Sequence, residues 1–178
     1  MRTHKVFAVL ALLALPLTLE AARFGLGTPV TDADIEAWDI DVGVNGYGLP
    51  SGKGTVAEGK KIYDARCAVC HGANGDEGPM DKLTGGVTSI GGSNPLKTVG
   101  SFWPYASTLF DYVRRAMPFD KPQSLSDAEV YSVTAYVLFL NGIINERAVM
   151  DRYSLWRVNM PNAYGFVPDP RPDVGTQK

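Results

Sequence analysis

Three stretches of the chain carry a helical rhythm of apolar positions, separated by glycine, proline and small polar residues. The first opens on Thr55-Val56-Ala57-Glu58. That is a capping box, in which hydroxyl and carboxylate each satisfy a backbone N–H left free at a helix start. The pattern runs on through Ile62 and Tyr63, and Gly59, Tyr63 and Cys67, spaced four apart, share one face. Glycine weakens a helix interior, so Gly59 predicts the close approach of another helix. The second stretch, Ser107 to Arg115, has Leu109, Tyr112 and Val113 on its apolar stripe. The third begins with a second capping box, Ser126-Asp127-Ala128-Glu129, and stops at Asn141-Gly142, a favoured C-terminal signal. Val130, Val133, Thr134, Val137 and Leu140 form one stripe, and Tyr131, Ala135, Leu138 and Phe139 make the rest apolar too. A helix apolar nearly all round is buried on more than one side.

Elsewhere the pattern predicts arms and loops. Arg2, His4 and Lys5, the apolar run Val6 to Leu19 and the small pair Ala21-Ala22 read as an export signal over residues 1–22. The run is short for a membrane span, so cleavage near Ala21 or Ala22 is expected, an uncleaved anchor being the alternative. Residues 23–54 form an extension in which Thr31-Asp32-Ala33-Asp34 caps a short helix toward Trp38. Trp38, Ile40 and Val42 are its anchors to a domain surface or a partner, and Asn45 to Gly52 is loop. Residues 72–100 are Gly-rich and irregular. The domain proper is expected at 55–142. Residues 143–178 form a Pro-rich tail whose Trp156, Met160-Pro161 and Phe166 are expected to cover the open side of the third helix or to reach a partner.

Composition narrows the class. With 178 residues, 45% of them apolar, the chain can build one core. Removing Arg2 and Lys5 from 17 basic residues, and Glu20 from 19 acidic ones, leaves a net charge of −3, which argues against nucleic acid as a partner. There are two cysteines and two histidines, and His4 lies in the export signal.

The chemistry concentrates in Cys67-Ala68-Val69-Cys70-His71. Cysteines three apart on a helix end lie on one face and can reach the two vinyl groups on one edge of a porphyrin, and the next residue can place its imidazole under the iron. A zinc site would need two more ligands that the chain does not supply. A redox dithiol would sit in a βαβ pattern that is absent. Cys67, Cys70 and His71 therefore predict covalent haem c, with His71 as proximal ligand. For the sixth position Met117, followed by the helix-ending Pro118, is the candidate, since His/Met ligation raises the potential into the carrier range. Met80, Met150 and Met160, or an open position, are the rivals. Phe102, Trp103 and Tyr105 either line the crevice or pack in the core. One motif predicts one haem. With no poised carboxylate pair and no Ser-His-Asp set, the chain reads as an electron-transfer subunit rather than a catalyst. A haem enzyme with an open sixth site and a freestanding carrier are the other readings. Export and covalent haem together place it in a periplasm, with no membrane span in the mature protein.

Residues 55–142 resemble a class I cytochrome c. The resemblance rests on the haem motif, on Gly59 and Tyr63 in the first helix and Tyr136 in the last, and on His71 with Met117 as axial pair. It implies an all-α fold of three to five helices around one covalent haem, here with extended N- and C-terminal arms. A narrower resemblance covers residues 28–172. It rests on Trp38-Asp39-Ile40-Asp41, Gly48-Leu49-Pro50, Lys97 to Ala106, Arg115-Ala116-Met117-Pro118-Phe119, Gln123-Ser124-Leu125, Ala135 to Gly142 and Gly165 to Pro172. These segments are similar to the cytochrome subunit of sulfane dehydrogenase in the Sox system of thiosulfate oxidation. That resemblance implies a molybdenum-containing dehydrogenase subunit as electron donor and a downstream cytochrome or oxidase as acceptor. A sulfite dehydrogenase is the related alternative.

Overall fold

The computed structural model describes residues 26–171. The export signal expected over 1–22 lies outside the described residues, as do the start of the extension and the end of the tail. The chain divides into two units, 1–35 and 36–178. A short helix, α1 (Asp32–Trp38), is capped by Thr31, whose hydroxyl accepts from the Asp34 N–H at 3.3 Å. Then follow β1 (Lys53–Thr55), α2 (Val56–Arg66), α3 (Ala68–His71), α4 (Ala106–Ala116), α5 (Asp127–Leu140), β2 (Val149–Asp151) and a 3-10 turn at Leu155–Arg157.

Both capping boxes form. The Thr55 N–H donates to the Glu58 carboxylate at 3.2 Å and the Glu58 N–H returns to the Thr55 hydroxyl at 3.2 Å. At α5 the Ser126 N–H donates to Glu129 at 2.8 Å and the Glu129 N–H to Ser126 at 3.4 Å. From these fixed starts α2 and α5 cross at Gly59. A Cβ there would overlap the Ser132 carbonyl and come within 2.8 Å of the Tyr136 Cβ, so only glycine lets the backbones meet. One turn further, the Tyr63 and Tyr136 rings pack edge to face, 5.2 Å between centroids. α5 is buried without interruption from Val130 to Leu138. α4 packs on another of its faces, where Phe110 lies 4.5 Å from the Tyr131 ring.

The arms close the remaining faces. β1 pairs antiparallel with β2 in the register Lys53↔Asp151, Gly54↔Met150 and Thr55↔Val149. Three-residue strands are too short to show alternation, which is why this sheet was not expected from the sequence. The tail covers the core through β2, which lies against α5, and through the 3-10 turn, which lies against α4; Met150, Leu155 and the expected Met160 are buried, whereas Trp156 and Phe166 stay exposed. In the extension Trp38 is 85% exposed, and the residues that enter the core are Val42 and Leu49. The Tyr131 hydroxyl donates to the Pro50 carbonyl at 2.9 Å and Arg152 to that of Leu49 at 2.8 Å, so both arms are tied together over α5. Among the described residues no helix is long and apolar enough to cross a membrane.

Candidate functional site

α2 ends at Arg66, and Cys67 is both its C-cap and the start of α3. The Cys67 N–H donates to the Tyr63 carbonyl at 2.8 Å. The Cys67 carbonyl in turn accepts from Cys70 at 3.1 Å and His71 at 3.0 Å. One tight turn thus carries two thiols and an imidazole, all half-buried, while Val69 between them is exposed. Both thiols are free. Burial pushes the Cys67 thiol up to about 11, with the neighbouring Arg66 guanidinium acting in the opposite sense.

The Gly-rich loop is built around this turn. The Asp81 carbonyl lies 2.9 Å from His71 Nδ1. A carbonyl only accepts, so Nδ1 carries the proton and Nε2 keeps its lone pair. The Met80 N–H donates to the Cys70 carbonyl at 3.0 Å. Gly78 makes this fold-back possible, because a Cβ would strike that same carbonyl. The Tyr63 hydroxyl donates to the Gly72 carbonyl at 3.0 Å. Further along, Asn141 at the end of α5 accepts from the Gly100 N–H at 3.1 Å and donates to the Leu83 carbonyl at 3.1 Å. In the sequence Asn141 reads as a helix stop; its side chain also pins the loop, which no local signal reveals.

Met117 comes from a different element. It caps α4, its N–H donating to the Val113 carbonyl at 3.1 Å, and its half-buried side chain borders the same core that Cys67 borders. Met150 and Met160 are buried in that core, and Met80 is exposed. The aromatic segment divides its labour. Trp103 meets Tyr112 of α4 edge to face at 5.7 Å, Phe102 meets Phe166 of the tail at 5.2 Å, and Tyr105 is exposed. The basic residues nearby are engaged. The Lys97 ammonium sits 4.9 Å from the Phe102 ring, Arg114 bonds Asp127, and Arg115 pairs with Asp111.

First and last helices crossing at a glycine, with a Cys-x-x-Cys-His turn at the end of the first, define the class I c-type cytochrome fold. The cytochrome c family profile matches residues 56–141, and the chain belongs to this family. More narrowly, it is similar to a chain in the crystal structure of the sulfane dehydrogenase SoxCD from Paracoccus pantotrophus. The two share 42% identity, with 84% of this chain and 74% of that chain covered and a TM-score of 0.77. A thiosulfate dehydrogenase from Stutzerimonas stutzeri (strain A1501) is 36% identical over 90 residues, 49% of this chain and 28% of that protein. The cbb3-type cytochrome c oxidase subunit CcoP of Azospirillum sp. (strain B510) is 34% identical over 110 residues, 58% of this chain and 34% of that protein. The chain thus spans about a third or less of the length of these curated relatives. Its cofactor is covalently bound haem c and its role is electron transfer.

The donor set fits that cofactor. Two free thiols hang from one turn, an imidazole presents an unprotonated Nε2, and a thioether borders the same core. Sulfur and imidazole donors suit iron in a porphyrin, whereas hard cations prefer oxygen.

Proposed function

We propose that Cys67 and Cys70 hold one haem through two thioethers, that His71 Nε2 and the Met117 sulfur are its axial ligands, and that the chain is the electron-accepting subunit of a periplasmic molybdenum-containing sulfane dehydrogenase. The observation that carries the partner is the likeness to the SoxCD chain, which covers 84% of this chain and so runs beyond residues 55–142. When bound, haem with His/Met ligation supplies a one-electron couple in the carrier range. The protein's own part is positional. The Asp81 carbonyl fixes the imidazole tautomer and ring plane, and the Cys67–His71 turn sets the spacing of the thiols. Among the other methionines, two are committed to the core and Met80 is exposed, which favours Met117 as the sixth ligand.

In this reading residues 55–142 are the haem domain, and 23–54 and 143–178 are arms. The export signal at 1–22 is removed on the way to the periplasm. Oxidation of sulfane sulfur in thiosulfate oxidation takes place on the partner, and electrons leave through a downstream cytochrome or oxidase. The test is purification of the tagged mature protein from its native periplasm, with molybdenum and haem measured in the eluate. Molybdenum near one per haem is expected. A molybdenum-free monomer would overturn the subunit reading in favour of a freestanding carrier. Sulfite, rather than sulfane sulfur, reducing the complex would replace the substrate by that of a sulfite dehydrogenase.

A further inference from the structure

Residues 40–44 run along α4 as an irregular strap that enters a turn at Val44, and three side chains on one face of the helix each take one of its backbone groups. Arg114 donates to the Ile40 carbonyl at 2.7 Å. Asp111 accepts from the Val42 N–H at 2.8 Å, and the Ser107 hydroxyl donates to the Val44 carbonyl at 2.9 Å. The registers match for a simple reason. Two residues of chain reach at most about 6.6 Å, and helix positions four and three apart advance about 6 and 4.5 Å. Alternate strap residues therefore meet Ser107, Asp111 and Arg114 in turn, in antiparallel order. The two upper rungs are shielded, since Ser107 and Asp111 are both buried. Arg114 does a second thing. Its Nε donates to Asp127 in the first turn of α5 at 3.1 Å, joining the two ends of the segment that carries Met117.

We infer that this seam positions the sixth ligand, with Arg114 as the chief positioning residue. Met117 is three residues beyond Arg114, at the free end of α4. Without the strap and the Asp127 link, that end could pivot away from the core. The inference rests on the assignment of Met117 as ligand, and one experiment tests both. The ferric holoprotein is titrated with imidazole, well below its thermal transition, while the sulfur-to-iron charge-transfer band and the reduction potential are followed. Arg114→Gln is expected to bind imidazole at least five-fold more tightly than the parent protein, with haem content unchanged. Arg114→Lys, which keeps the charge but reaches one partner at a time, should fall between them. Should Arg114→Gln fold poorly, Asp127→Asn, which weakens only the link across the Met117 segment, is expected to move imidazole affinity in the same direction. A lowered Tm with imidazole affinity and potential unmoved in both variants would make the seam merely structural and overturn the inference. A charge-transfer band that survives Met117→Ala would instead overturn the ligand assignment.

Discussion

The two sides of the candidate site are held in opposite ways. The Cys67–His71 turn is fixed by bonds between near neighbours in sequence: Cys67 to Tyr63, His71 to Asp81, and Tyr63 to Gly72 only nine positions away. All three end on backbone carbonyls. Met117 has one local bond, its N–H to the Val113 carbonyl, but the helix that ends on it is held from afar, by side chains of α4 that reach 63, 69 and 74 positions back to the strap. Local backbone bonds re-form whenever the helix does, whereas long-range rungs exist only when the whole domain is assembled. The histidine side should therefore keep its geometry under partial loosening, and the methionine side should yield first.

The largest effect expected is on the support both sides share. Gly59→Ala drives a Cβ into the Ser132 carbonyl and should cost about 3 kcal/mol, read by chemical denaturation, with both sides lost together. Retention of one side after the other has gone would show that the helix crossing does not couple them. Next comes Asp111→Ala, which leaves the Val42 N–H without its partner and should cost about 2 kcal/mol. In that variant the charge-transfer band should fade with rising denaturant before helical dichroism falls. Simultaneous loss would erase the proposed contrast. Tyr63→Phe removes one bond on the histidine side and should cost about 1 kcal/mol, with the charge-transfer band undisturbed.

The smallest effect concerns a cap remote from the contrast and serves as its control. The backbone N–H and then the hydroxyl of Ser126 hold the Glu129 carboxyl below its ordinary value of 4.5. Its contribution is therefore present above pH 4.5 and lost as pH falls through the lowered native value. Glu129→Gln should flatten that part of the Tm-versus-pH curve and leave imidazole affinity unchanged.

The same division explains what was legible in the sequence. Both capping boxes, the all-round burial of α5, the meaning of Gly59 and the Cys67–His71 turn rest on residues within four positions of one another, where spacing alone carries geometry. The β1–β2 pairing, the methionine anchors of the tail and the strap rest on partners far apart in the chain. Ser107, Asp111 and Arg114 stand at helical spacing in the sequence, but nothing local says that such a polar stripe faces backbone instead of water. Trp38 does not pack on this chain's own surface for a related reason: hydrophobicity states a preference for burial and not the presence of a neighbour to provide it.

The β1–β2 seam also bears on how the domain folds. It joins Gly54 to Met150, roughly a hundred positions later in the chain, so a large loop must close before the pairing returns any free energy. α2 and α5 also meet across a long span, Gly59 to Ser132, which raises the contact order above that of a simple helical bundle. The turn bearing the thiols can form early as an isolated helix end, while Met150 is added late. Substitutions at Met150 should then speed unfolding and leave the folding rate nearly unchanged.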